Sequence, residues 1–144
     1  MSNETVIQIS KATIFQENNP VVTDVNVEIK KGEFVYLIGK TGSGKSSLLK
    51  TLYGELPLKQ GTGSVAGFDL TTLKRKDVPF LRRKLGIVFQ DFQLLSDRSV
   101  YENLRFVMKA TGWKNEDEIR KQITDVLNEV ALSGKGEKMP FELS

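Results

Sequence analysis

The 144 residues contain no cysteine and no histidine. The first absence excludes a disulfide framework and any thiolate metal site, and it is compatible with a reducing compartment. The second removes the commonest general base and the imidazole metal ligand. No stretch approaches the ~18 consecutive apolar residues that a membrane-spanning helix needs. The opening Met-Ser-Asn-Glu-Thr has neither the basic flank nor the apolar segment of a secretion signal. No internal repeat or low-complexity linker is visible. The formal net charge of +3 is small. With Lys and Arg scattered, a solvated surface is the plainer reading of it, and no nucleic-acid partner is expected.

What is present is concentrated in one stretch, Phe34-Val-Tyr-Leu-Ile38 running into Gly39-Lys40-Thr41-Gly42-Ser43-Gly44-Lys45-Ser46-Ser47 and then Leu48-Leu49. Residues 39–46 fit G-x-x-x-x-G-K-[ST], the phosphate-binding P-loop, in the strand–loop–helix setting that the motif requires. Gly42 and Gly44 free the backbone for positive φ and close approach to a ligand, so that successive N–H groups can ring phosphate oxygens. A helix starting near Lys45 directs its unpaired N–H groups and positive dipole end at the same phosphates. The Lys45 ammonium can reach the β and γ phosphates, and the Ser46 hydroxyl can ligate Mg²⁺. The alternative, a glycine-rich turn without a ligand, is disfavoured by the apolar strand before the loop and the apolar-faced helix after it.

Around this loop the pattern predicts an α/β domain. Val6–Phe15 reads as a β-rich strand and Glu17–Pro20 as a turn. Val25, Val27 and Ile29, alternating with polar residues, mark a half-buried antiparallel strand. Phe34–Ile38 and Leu85–Phe89 are apolar on both faces, as buried parallel strands should be. Leu48, Leu49 and Leu52 give the P-loop helix its apolar side, with Gly54 as its cap. Residues 55–64 read as loop and 64–70 as a short strand and turn. Residues 74–84 form a basic segment with a helix after Pro79. Ser99 with Glu102, and Asn115 with Glu118, spell capping boxes for helices over 100–110 and 116–131. In the second, Ile119, Ile123, Val126, Leu127 and Val130 share a stripe, most economically a core-facing one.

The run Leu85-Gly-Ile-Val-Phe-Gln90-Asp-Phe-Gln-Leu-Leu-Ser-Asp-Arg-Ser-Val-Tyr-Glu-Asn-Leu104 resembles the Q-loop region of ABC-type ATPases, and within that family its FtsE branch. The resemblance covers nearly the whole chain, with Ser96 standing where proline is expected. It implies a P-loop NTPase with a RecA-like core, an N-terminal antiparallel β layer, and ATP and Mg²⁺ as cofactors. It matches Phe15 to the aromatic that stacks on adenine; an ordinary strand-end core residue is the alternative. It matches Gln90 to the Q-loop glutamine, whose amide oxygen would face Mg²⁺ or the attacking water; a plain strand-end polar residue is the alternative. Residues 91–101 would meet the coupling element of an FtsX-like transmembrane partner, through Phe92, Leu94, Leu95 and Tyr101, unless these are buried within the domain.

By the same resemblance the complete subunit would be a homodimer, peripheral to the cytoplasmic side of the plasma membrane through its partner. The 144 residues read as the N-terminal part of a single nucleotide-binding domain, with P-loop 39–46, Q-loop around 90 and the start of a helical subdomain at about 97–144. Pro140–Ser144 looks like the beginning of the signature motif. The Walker B aspartate, the glutamate general base and the switch histidine have no match in the chain, so it is expected to bind ATP without hydrolysing it. Two unaccompanied parallel strands would leave an apolar edge that invites association. Among other readings, a GTPase lacks both D-x-x-G and N-K-x-D patterns here, and a small-molecule kinase leaves the Q-loop match unexplained. A lipoprotein-releasing or macrolide-type exporter ATPase, or a non-hydrolysing ATP-binding scaffold, stays open.

Overall fold

The computed structural model describes residues 4–143; Ser144, at the start of the supposed signature, lies outside them. The chain divides into two compact units, Met1–Ile87 and Val88–Ser144.

The first unit is built on a four-stranded antiparallel sheet. Strands β1 (Thr5–Gln16), β2 (Asn19–Lys30), β3 (Gln60–Val65) and β4 (Phe68–Asp69) lie in the order β2-β1-β3-β4. β1 presents Ile9, Ala12 and Ile14 to the core. That set keeps to one face because a bulge between Ile9 and Ala12 absorbs one extra residue. Lys11 (φ 48°) and, on β2, Asp24 (φ 51°) take left-handed conformations there. The Asn26 side chain satisfies them: its Oδ1 accepts from Lys11 N–H at 2.9 Å, and its Nδ2 donates to the Asp24 carbonyl at 3.0 Å. Ala66 (φ 47°) and Gly67 (φ 83°) join β3 to β4 as a two-residue turn with both φ positive, which matches the twist of a hairpin.

Sequence reasoning placed residues 55–64 in a loop, but 60–64 belong to β3. The glycines that suggested a loop are what let β3 pair. A Cβ on Gly61 would sit 2.5 Å from Ala12 Cα and 2.6 Å from the Lys11 carbonyl oxygen, and one on Gly63 would sit 2.6 Å from Ile9 Cδ1.

Helix α1 (Lys45–Leu52) and helix α2 (Val78–Arg82) cover the sheet through Leu48 and Leu81, which join Ile9, Ala12, Ile14, Val25, Leu58, Val65 and Leu70 in one core. Leu49, read as part of the buried side of α1, is 49% exposed. α1 ends in a Schellman arrangement: Glu55 N–H donates to Lys50 C=O and Gly54 N–H to Thr51 C=O, with Gly54 at φ 73°.

The largest departure from the sequence reading concerns Phe34–Ile38 and Leu85–Phe89. Neither is a strand among the described residues, and the sheet contains no parallel pair. Phe34 is 81% exposed and Val88 98%. Their apolar character suits a central parallel strand, but such a strand exists only through neighbours hydrogen-bonded on its edges. No strand among the described residues is paired with either segment.

The second unit packs helix α3 (Val100–Ala110) on helix α4 (Glu116–Glu129). α3 has both halves of its capping box, Ser99 Oγ accepting from Glu102 N–H and Glu102 Oε2 from Ser99 N–H. Asn115 caps α4 by accepting from the Asp117 and Glu118 N–H groups. Ile119, Ile123 and Leu127 are buried against Val100, Tyr101, Leu104, Met108 and Leu132, each contributing roughly 1.5–3 kcal/mol of burial. The stripe is narrower than its periodicity indicates, because Val130 is 58% exposed.

Glu116, in the first turn of α4, is held by Arg105 and Lys109 of α3, with oxygens 2.7 Å from the guanidinium and 2.6 Å from the ammonium. These hydrogen bonds, the Arg105 one first, lower its pKa from 4.5 to about 2. A depressed carboxyl contributes stability above its unfolded pKa and loses it as pH falls through the folded one. We therefore expect the acid destabilisation of the second unit to have a component between about pH 4.5 and 2 that Glu116→Gln removes. Carbon-detected NMR titration of the side chain is the direct check; a midpoint near 4.5 would contradict it.

Candidate functional site

The loop 39–44 delivers the chain into α1. Gly42 (φ 80°) and Gly44 (φ 87°) both occupy the left-handed region, and Gly44 is the helix N-cap. Their needs differ. A Cβ at Gly42 would meet nothing within 4 Å, so beyond its φ the position is open on the side where a ligand would approach. At Gly44 a Cβ would overlap the Val22 side chain and lie 3.3 Å from the Val21 carbonyl oxygen. At Gly44 there is thus also a packing requirement: glycine lets β2 press against the loop. At Gly39 a Cβ would come 2.6 Å from Ser43 Oγ.

The first i→i−4 bond of α1 is Leu48 N–H to Gly44 C=O at 2.9 Å. The N–H groups of Lys45, Ser46 and Ser47 precede it and so have no acceptor inside the helix. The first turn carries no acidic residue, so the positive end of the helix is not neutralised locally. The Lys45 ammonium curls back over the loop and donates to the carbonyls of Gly39 and Lys40, both at 2.7 Å. First-turn amides and an ammonium thus lie together in one loop, the donor types that a polyphosphate requires. Lys40, Thr41, Ser43 and Ser46 line it as exposed residues and Ser47 is half-buried.

Phe15 lies at the end of β1, paired with Pro20. Two residues further along β2, Val22 is the residue that meets Gly44, so the sheet brings the Phe15 end of the hairpin to the P-loop side. The ring is half-buried, with the Lys59 ammonium 5.7 Å from its centroid. Lys59 is itself fixed by donating to the Glu17 carbonyl at 2.8 Å. Sequence reasoning missed Lys59, since nothing in the segment before β3 marks it; only the hairpin geometry brings it to Phe15.

Gln90 is in the second unit, exposed, at a turn where Phe92 (φ 59°) and Gln93 (φ 47°) are both left-handed. Beyond it Phe92 is 74% and Leu94 53% exposed, while Leu95 and Tyr101 are half-buried, and Tyr101 packs within the domain on the second core. The Leu95–Ser99 loop is fastened by buried Asn103. Its Oδ1 accepts from Leu95 N–H at 2.8 Å, and its Nδ2 donates to the carbonyls of Leu95, Arg98 and Ser99 at 3.0–3.1 Å. No three acidic, His or Cys side chains cluster among the described residues. No helix is long and apolar enough to cross a membrane among the described residues.

The family model for the ABC transporter matches residues 22–144. The cell division ATP-binding protein FtsE of Streptococcus pneumoniae is 41% identical over 130 residues, covering 90% of this chain and 56% of that protein. FtsE of Mycobacterium tuberculosis is 43% identical over 125 residues, covering 87% and 54%. FtsE of Escherichia coli is 39% identical over 120 residues, covering 83% and 54%. The chain therefore spans a little over half the length of the curated relatives it matches.

Among solved structures, cbiO1 from Clostridium perfringens, part of the ABC transporter complex cbiONQ, superposes with a TM-score of 0.83 at 28% identity, over 99% of this chain and 57% of that one. The dimeric ATP-binding cassette MJ0796, in a post-hydrolysis state bound to ADP and Pi, gives 0.80 at 27% identity over 96% and 63%. The chain belongs to the ABC transporter family of ATP-binding proteins.

Proposed function

We propose that these residues form the ATP-binding half of an FtsE-like ATPase subunit, one that works at the cytoplasmic face of the plasma membrane with an FtsX-like transmembrane partner. The observation that carries the nucleotide reading is the P-loop itself: the Lys45 ammonium, the first-turn amides of α1 and the open Cβ position of Gly42 lie in one loop with no acidic first-turn residue. Ser46 would ligate Mg²⁺, which when bound would neutralise phosphate charge. Gln90 would supply an amide oxygen to the metal or the attacking water. Phe15, its ring held by Lys59, would cover the adenine.

Hydrolysis in the complete subunit and its homodimerisation rest on the FtsE relatives and on the dimeric cassette. The partner would meet the exposed Phe92 and Leu94, which border an apolar cleft of about 720 Å³ with Val100, Leu104 and Phe141. Nothing favours a lipoprotein-releasing or macrolide-type exporter over the cell-division branch, which the FtsE relatives support.

Titration of the chain with a fluorescent ATP analogue and Mg²⁺ tests the reading. Saturable binding, competed by ATP and weakened by Phe15→Ser, is expected, with no steady phosphate release because no residue of the chain matches the family's general base. Absence of binding at millimolar nucleotide would refute the nucleotide reading. Steady turnover abolished by Lys45→Ala would refute the expected inactivity of these residues alone.

A further inference from the structure

The net charge of the chain conceals a strong asymmetry. Lys74, Arg75, Lys76, Arg82, Arg83 and Lys84, with Asp77 as the one acid among them, give residues 74–84 a net +5 where the whole chain carries +3, so the remaining residues sum to −2. All six cations are exposed. None of them forms an ion pair among the described residues, although five ion pairs form elsewhere.

The segment is not a loose charged loop. Leu81 is fully buried, and Leu73 and Leu85 pack on the same core. Arg82 is pinned to the end of α1, donating from Nε to the Tyr53 carbonyl at 3.0 Å with its guanidinium 5.5 Å from the Tyr53 ring. On this fixed base an aromatic side chain points out among the cations: Phe80 is 55% exposed, with Arg83 5.2 Å from its centroid.

Unpaired cations in such density repel one another, so the arrangement is stabilised by an external polyanion. An exposed phenyl ring among them favours one kind. At an anionic membrane surface the cations meet headgroup phosphates, while the ring enters the acyl boundary and gains burial that a solvated phosphate backbone does not offer. We propose that residues 74–84 form a binding surface for anionic lipid headgroups, giving this subunit a direct contact with the bilayer. The proposal does not depend on the nucleotide reading.

The test is co-sedimentation of the chain with vesicles of phosphatidylcholine alone and of phosphatidylcholine with one part in three phosphatidylglycerol, at low and high salt. Binding to the anionic vesicles only, lost at high salt, is expected. With each surface cation worth about 1 kcal/mol, the triple change Lys74→Gln, Lys76→Gln, Lys84→Gln should weaken binding by on the order of a hundredfold. The same neutralisation at Lys114, Lys121 and Lys135 should leave it within about threefold, and Phe80→Ser should weaken it by roughly tenfold. An unchanged far-ultraviolet circular dichroism spectrum and thermal transition show that the variants are folded. Equal binding to neutral vesicles, or indifference to the triple change, would overturn the proposal. So would binding to a homopolymeric RNA that exceeds vesicle binding and ignores Phe80→Ser, which would assign the surface to nucleic acid.

Discussion

Replacing Lys45 with alanine is expected to reduce affinity for Mg-ATP by about 10–150-fold, the equivalent of one hydrogen bond to a charged group worth about 1.5–3 kcal/mol. The ammonium satisfies two backbone carbonyls, of Gly39 and Lys40, at 2.7 Å each. Nucleotide binding must transfer it to phosphate oxygens, and the gain is the difference between those acceptors. A full negative charge is the stronger acceptor for an ammonium, so the exchange favours the ligand. Lys45→Arg keeps the charge but presents a planar fork in place of a compact donor, and it should recover only part of the affinity. Isothermal titration of the three proteins is the check. Affinity unchanged in the alanine variant would mean that the nucleotide is held elsewhere.

Gly61→Ala should be among the most destabilising single changes available in the first unit, costing more than about 3 kcal/mol. Two effects combine. Gly61 has φ 90°, where a Cβ adds backbone strain. The new methyl would also sit 2.5–2.7 Å from Ala12 Cα, the Lys11 carbonyl oxygen and Ala12 N, all backbone atoms of β1 that no rotamer change can move. Relief requires β3 to lift from β1 beside the Lys11 bulge, opening the core at Ala12, Ile14 and Val65. Gly67→Ala is the control, since it too has positive φ but would meet nothing within 4 Å; it should carry the strain alone. Thermal denaturation of both variants separates the contributions, and equal losses would show that the overlap is accommodated.

Local chemistry was the part most legible in the sequence. The Ser99–Glu102 and Asn115 caps place the starts of α3 and α4, because capping is settled within four residues. The P-loop was readable for the same reason: its glycines, lysine and helix start are contiguous. Properties that depend on distant chain were not. Phe34–Ile38 and Leu85–Phe89 carry the composition of buried parallel strands, yet burial needs neighbours that the described residues do not supply. β3 was hidden because Gly61 and Gly63 resemble loop until β1 is placed against them. Lys59 gained its relation to Phe15 through a hairpin turn more than forty residues away in sequence. The clustering of charge at 74–84 was visible as a basic segment, but its lack of ion-pair partners is a three-dimensional fact.

Asn103 has a mechanical consequence. With its amide bonded at both ends of the Leu95–Ser99 loop and its backbone inside α3, it welds loop and helix into one lever. Moving Leu95 therefore strains hydrogen bonds anchored in α3, whose Tyr101, Leu104 and Met108 pack on α4.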